Sequence, residues 1–296
     1  MSMTRRRFLT MSAVALTLPR PSAAATTAEP AIWRGRALGA DVSLRIVGLD
    51  RAASARLWRR VSHTLAQVEA RFSLHRASEL TRLNATGLLV NPSADMRALI
   101  ALSDQLHRST QGAFDPSVQP LWLALAQAGD LAGARARTGW PRVEIAADRI
   151  RLAPGMALTF NGIAQGHAAD RIADLMRHEG LTDVLIDAGE IAALGGNAGT
   201  PWRVGIAGPD GAPLANRALR DRALATSSPG ATRVGPQGAA HILHPDGRVP
   251  LWRTVSVSAP RAVLADGLST AFCLMTRAEI DAALAQHPGA ALEYLG

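Results

Sequence analysis

The chain has 296 residues, 32 basic and 24 acidic side chains, a formal net charge of +8 and a single cysteine. One cysteine, Cys273, excludes an internal disulfide and a cysteine-built metal cluster. The basic residues are all arginine and form no cluster interleaved with aromatics, which argues against nucleic acid as a partner.

In chain order, Thr4-Arg5-Arg6-Arg7-Phe8-Leu9 is a twin-arginine pattern, followed by an apolar run from Met11 to Leu18 and a small-residue site at Ala23-Ala24-Ala25. The run is shorter than the roughly 20 residues that cross a bilayer, and no cysteine lies near the cleavage site to take a lipid. The expectation is a signal peptide over 1–25, export by the twin-arginine route, and a periplasmic product of 26–296 that does not span a membrane. The segment carries Arg5, Arg6, Arg7 and Arg20 and no acid, so its removal takes the charge from +8 to +4.

Asp41 to Gly48 alternates, with Val42, Leu44 and Ile46 on one face, and predicts a strand. Leu57, Val61, Leu65, Val68 and Phe72 recur at helical spacing. A second helix follows Ser93 with Met96, Leu99, Ile100 and Leu106 inward, and a Gly/Arg-rich loop covers about 128–142. Strands are expected at 149–153 and 156–160. A helix then opens near Gly166 and buries Ala168, Ile172, Leu175 and Met176. More strands follow at 183–187, 202–207, 222–227 and 254–259, and helices at 261–276 and 277–287. Without regular βαβ alternation, and with no linker dividing the chain, the pattern reads as α+β in one compact unit.

Leu158 to Gly180 places Asn161-Gly162 and then Gly166 where a strand-like run meets a helix. Glycine permits close backbone approach, and a helix N-terminus offers unpaired N–H groups to an anion such as phosphate; the same arrangement also serves as a plain αβ corner. In "LADGLSTAF", Asp266 and Thr270 stand four apart on a predicted helix, so their oxygens share a face. They are metal-ligand candidates, with dipole-favoured placement and local bonding as the structural alternative. Cys273 sits in an apolar stretch and reads as a small buried hydrophobe. His63, His107, His178 and His287 fall on expected solvated helix faces. Ser78 and Glu79 read as a helix cap. Thr226-Ser227 is either a phosphate contact or a turn. No G-x-S-x-G elbow and no P-loop occurs.

A succession of blocks carries more than any one of them: Leu38-Gly39-Ala40, "RFSLHRASELTRLN" (71–84), "GAFDPSVQPLW" (112–122), "NGIAQGHAADR" (161–171), "LIDAGEIAALGGN" (185–197), "ATSS" (225–228), "HILHPDGRVP" (241–250) and "VSAPRAVLADGLSTAF" (257–272). This order resembles the ApbE family, the FAD:protein FMN transferases, over essentially the whole mature chain. The export signal and the GIAQG variant also look like its NosX branch, which serves nitrous-oxide reductase maturation.

The resemblance implies a single compact ApbE-like (T-fold-like) α+β domain with the flavin in a cleft. It implies FAD as substrate and Mg²⁺ as cofactor. The acceptor would be a Ser or Thr hydroxyl of a periplasmic or membrane-bound flavoprotein, in the NosX case a nitrous-oxide reductase accessory flavoprotein. It places the metal on Asp266, Thr270 and the carbonyl of Gly162. It aligns His241 with the family's HIxDP block, where a histidine near its usual pKa of about 6.5 takes a proton or orients phosphate. Flavin contacts carried over are Leu38, His75, Ala113, Phe114, Asp115, Thr159, Gln165 and Ile242. Phe114 is equally a core residue by type, and Asp115 before Pro116 equally a turn-former. The chain departs from the family at Gln165, where many relatives carry Lys, at Thr159, often Asp, and at His244, usually Asp. The alternatives are an FAD pyrophosphatase, with water in place of the hydroxyl, and a non-catalytic flavin-binding assembly factor.

Overall fold

Val42, Leu44 and Ile46 are all buried, as the alternation of their strand requires, and the strand they form lies second in a seven-stranded sheet. Its members are β1 (Ala31–Ala37), β2 (Ala40–Ile46), β3 (Val184–Asp187), β4 (Ile191–Leu194), β5 (Arg222–Ser227), β6 (Val255–Ala259) and β7 (Ala291–Leu295). Their order in space follows the chain, and every neighbouring pair is antiparallel. The computed structural model describes residues 31–49 and 51–296. The expected signal peptide at 1–25 lies outside them, and among the described residues no helix is long and apolar enough to cross a membrane. The first hairpin turns on Leu38-Gly39, both at positive φ (49° and 83°), the combination a two-residue type I′ turn needs.

Among the described residues, eight α-helices accompany the sheet: α1 (Arg51–Phe72), α2 (Glu79–Thr86), α3 (Ala94–Ser109), α4 (Gln119–Gln127), α5 (Leu131–Arg135), α6 (Ala164–His178), α7 (Ala262–Phe272) and α8 (Arg277–Leu284). α7 lies on β5 and β6, α6 packs beside α7, and α1 packs against α6 and β1. Leu57, Val61, Leu65, Val68 and Phe72 of α1 are buried in this layer, each contributing about 1.5–3 kcal/mol. Phe72 meets Phe160 and the ring of His167 edge-on, at 5.6 and 5.4 Å. The opposite face of the sheet is covered by the hairpin Thr200–Ala207/Pro213–Leu219, whose Trp202, Val204, Ile206 and Leu219 pack on Leu185, Ile191, Ala193 and Leu224. Strands buried on both faces need no polar alternation, and in β3 Val184 and Ile186 serve one core while Leu185 serves the other.

The architecture is the expected α+β in one unit, with local corrections. Ser78 does cap α2, in a capping box with Thr81. The apolar run 156–160 joins no sheet. Its Met156, Leu158 and Phe160 are buried with strand periodicity, but its backbone is satisfied by other means. Asn84 clamps Leu158, accepting its N–H at 2.7 Å and donating to its carbonyl at 2.9 Å, and Thr159 N–H donates to Pro116 O at 2.8 Å. The region 128–142 is not all loop: α5 is capped by Asp130, and a 3₁₀ turn spans Trp140–Arg142. His287 is buried, with Nε2 2.8 Å from Ser109 Oγ, and His107 Nδ1 lies 3.0 Å from Phe114 O, so neither is on a solvated face. Cys273 is buried, and burial raises its thiol pKa.

Candidate functional site

Gly166 shows why small residues stand at the start of α6. A Cβ there would come within 2.4 Å of the Ala262 carbonyl oxygen and 2.7 Å of Val263 Cα. The glycine therefore lets α6 and the start of α7 touch backbone to backbone. Its N–H donates to Asp266 Oδ2 at 2.9 Å. This first-turn donor, expected to meet phosphate, is thus spent on a carboxylate. The start of α7 is also held by Asp170 of α6, whose two oxygens accept the N–H groups of Ala262 and Val263 at 2.9 and 3.0 Å. Those bonds satisfy two of the helix's unpaired N-terminal donors.

The two helices thereby form one wall of an open-mouthed cleft. The remaining walls are Ala113–Pro116, the start of α4 with Trp122, Thr159 with Gly162 and Gln165, Glu190, Thr226–Ser228 and His241–Leu243. Of the residues singled out in the sequence, Ala113, Phe114, Asp115, Thr159, Gly162, Gln165, His241, Ile242, Asp266 and Thr270 all line this cleft. Leu38 and His75 do not. Leu38 donates its N–H to Glu69 Oε1 at 3.0 Å in the first hairpin turn, and His75 is exposed beyond the end of α1. Phe114 is both core and cleft wall. The Asp115 carboxylate is engaged structurally, accepting from Ser117 N, Ser117 Oγ and Trp140 N.

Gly162 lies against Thr270: a Cβ at Gly162 would sit 3.0 Å from its Cγ2 and 3.1 Å from its Oγ1. Thr270 in turn neighbours Ser227, whose Oγ is 2.8 Å from Ser269 Oγ and 3.4 Å from Thr270 Oγ1. Thr226 and Ser227 thus lie on a strand, not in a turn. Gln165 folds over Gly189, where positive φ (92°) and the missing side chain leave room for its amide.

The electrostatics are one-sided. Burial raises the Asp266 carboxyl to about pKa 7, with Asp170 adding and the Gly166 N–H opposing. Burial also lifts Glu190 well above the usual range, and the neighbouring Asp266 adds to it, although Glu190 accepts from Thr226 N–H at 3.1 Å. Asp187 is pushed to about 6 by burial. Among the described residues, no arginine lines the cleft. Buried carboxylates without a cationic side chain, beside a hydroxyl and a glycine cradle that a Cβ would fill, form a hard all-oxygen set that fits a divalent cation. Glu190 was not singled out in the sequence. Its only signal there is the Asp187-x-x-Glu190 spacing across a strand-to-strand turn.

His241 is half-buried, and its Nδ1 lies 3.0 Å from the Pro229 carbonyl oxygen. A carbonyl only accepts, so the neutral ring carries its proton on Nδ1 and its lone pair on Nε2. Burial lowers its pKa, opposed by the carbonyls of Pro229 and Thr232, so the ring is neutral near pH 7. His244, its neighbour in the block, is buried, and its Nδ1 accepts from Asp246 N–H at 3.0 Å.

The model of the ApbE family matches residues 38–293. An FAD:protein FMN transferase of Salmonella typhimurium is 27% identical over 282 residues, covering 84% of this chain and 80% of its own. One from Klebsiella pneumoniae is 27% identical over 291 residues, covering 86% and 81%. Among solved structures, the Pseudomonas stutzeri flavinyl transferase ApbE in its apo form superposes with a TM-score of 0.75 at 27% identity, over 87% of this chain and 88% of that one. The flavin transferase ApbE of Vibrio cholerae does so with a TM-score of 0.76 at 25% identity, over 89% and 93%.

Proposed function

From the premise that this chain belongs to the ApbE family, we propose that it carries out the Mg²⁺-dependent transfer of FMN from FAD to a Ser or Thr hydroxyl of a partner flavoprotein, releasing AMP. The chain is an enzyme that moves FMN from FAD onto a partner protein. The observation that carries the metal is the buried Asp266 carboxyl in a cleft where no arginine lines the wall among the described residues. A dinucleotide pyrophosphate brings further negative charge into that space, and two anionic partners need a cation between them.

Asp266, Thr270 and the Gly162 carbonyl would hold the Mg²⁺. When bound, it neutralises the pyrophosphate and stabilises charge on the departing AMP. Gly166 N–H and the Asp170 cap fix α7, and so fix where Asp266 points. His241 Nε2 takes the proton of the acceptor hydroxyl. The hydroxyl oxygen bonds to the FMN phosphorus, the bond from that phosphorus to the AMP side breaks, and AMP leaves with the electron pair. Gln165, neutral over Gly189, orients without adding charge.

Export to the periplasm by the twin-arginine route rests on Arg5-Arg6-Arg7 and the short apolar run after them. With the GIAQG variant, it supports a periplasmic or membrane-bound acceptor of the nitrous-oxide reductase accessory type. The test is mass spectrometry of the protein incubated with FAD, Mg²⁺ and such an acceptor domain. An FMN adduct on a Ser or Thr, abolished by EDTA, is the expected result. AMP and FMN without an adduct would identify a pyrophosphatase, and intact FAD would reject catalysis.

A further inference from the structure

α1 and α6 face one another across a second groove, away from the catalytic cleft. Arg56, Arg59, Arg60 and His63 line it from α1, and Arg171, Asp174, Leu175 and His178 from α6. Both sets follow the same i, i+3, i+4, i+7 spacing, so each is a stripe on one helix face about 10.5 Å long. On α6 the stripe begins about 9 Å along the axis from Gln165 of the cleft, close enough for one partner protein to cover both.

Most of the groove's charges are already paired. Arg60 is bound to Glu179 and Arg171 to Asp95. Asp174 is taken by Arg177 and by Arg261, the latter through bonds of 3.0 and 2.9 Å. His63 lies 3.0 Å from the Gln67 amide. No ion pair or hydrogen bond engages Arg56 or Arg59 among the described residues. The groove thus presents two free guanidiniums one helical turn apart, with Leu175 as the apolar side chain of the same lining.

We propose that this groove docks an acidic segment of the protein acceptor, with Arg56 and Arg59 each pairing one carboxylate. Charge complementarity selects the partner, and the geometry selects its form. The 10.5 Å stripe accommodates about three extended residues, and carboxylates two apart on an extended chain lie about 6.6 Å apart on one side. That matches the roughly 5–6 Å between Cβ atoms one turn apart on a helix. The recognised pattern is acidic-x-acidic. The docking rests on the reading of this chain as an enzyme with a protein acceptor.

The experiment is a binding titration on the full chain, independent of flavin transfer. Fluorescence anisotropy follows a fluorescein-labelled peptide of alternating glutamate and serine, with a glutamine–serine peptide of equal length as control. The expected result is binding of the acidic peptide alone, weakened about tenfold by Arg56→Glu/Arg59→Glu, retained by the lysine pair at the same positions, and falling with salt as exposed ion pairs do. Arg34→Glu/Arg203→Glu changes the net charge equally at exposed sites elsewhere and should leave binding intact. Equal loss in both glutamate pairs, no loss in either, or binding of phosphatidylglycerol vesicles or pyrophosphate in place of the peptide would overturn the proposal. Failure of FMN transfer with groove binding intact would instead count against the catalytic reading.

Discussion

The backbone N–H of Gly166 and the carboxylate of Asp266, 100 residues apart in sequence, are joined by a 2.9 Å hydrogen bond. Through that contact the small residue at the helix start and the buried acid of the cleft become one arrangement, and a change at either reads out at the other.

Gly166→Ala drives a methyl into the Ala262 carbonyl, 2.4 Å away, with backbone on both sides that has no rotamer to yield. Overpacking of this kind costs about 3 kcal/mol. Urea unfolding should show a lower midpoint at unchanged slope, and a wild-type midpoint would refute the close-contact reading.

Asp266→Asn separates stability from function. The folded carboxyl has its pKa raised to about 7, against about 3.9 unfolded. Its contribution is therefore fully present below pH 4 and lost as pH rises through 7, a penalty of up to ~4 kcal/mol in the metal-free protein. In EDTA at pH 8 the variant should melt several degrees higher than wild type. Added Mg²⁺ should raise the wild-type Tm and leave the variant's unmoved. A Mg²⁺-dependent rise in the variant would remove Asp266 from the metal site.

His241→Gln removes the lone pair on Nε2. The expected loss is about 10²–10⁴-fold in kcat, with FAD affinity held within about threefold. Because burial lowers the His241 pKa, the acid limb of the wild-type rate profile should fall below the ordinary histidine midpoint. A limb at or above 6.5 would assign it to another group.

His167 predicts acid lability. Burial lowers its pKa to about 4, with Asp95 pulling the other way. The unfolded ring takes its proton near 6.5, so stability from this residue is present above 6.5 and drains away as pH falls towards 4, by ~3 kcal/mol. His167→Gln should narrow the Tm difference between pH 7 and pH 4.5. An unchanged difference would place the lability elsewhere.

Much of this was legible from periodicity alone. The α1 face from Leu57 to Phe72 and the strand holding Val42, Leu44 and Ile46 were plain, because each buries one face and exposes the other. The run 156–160 misled for a physical reason: it has the burial of a strand, but its partner is the Asn84 side chain, and a side-chain clamp leaves no period in sequence. β1 lacked a signal because Ile32 and two arginines share its exposed face. The cleft residues were found by block order, whereas Glu190 escaped because a carboxylate at a strand turn looks like a solvated one until the fold buries it.

The separation between Gly166 and Asp266 has a kinetic consequence. Loop-closure entropy must be overcome before such a contact repays it, and contacts of long sequence separation slow folding. α7 supplies both Asp266 and Thr270, and of the elements it docks on, β6 lies next to it in the chain whereas α6 and β5 come from distant stretches. The wall that α6 and α7 make together is thus expected to close late as the molecule folds, after the local helices and hairpins have formed.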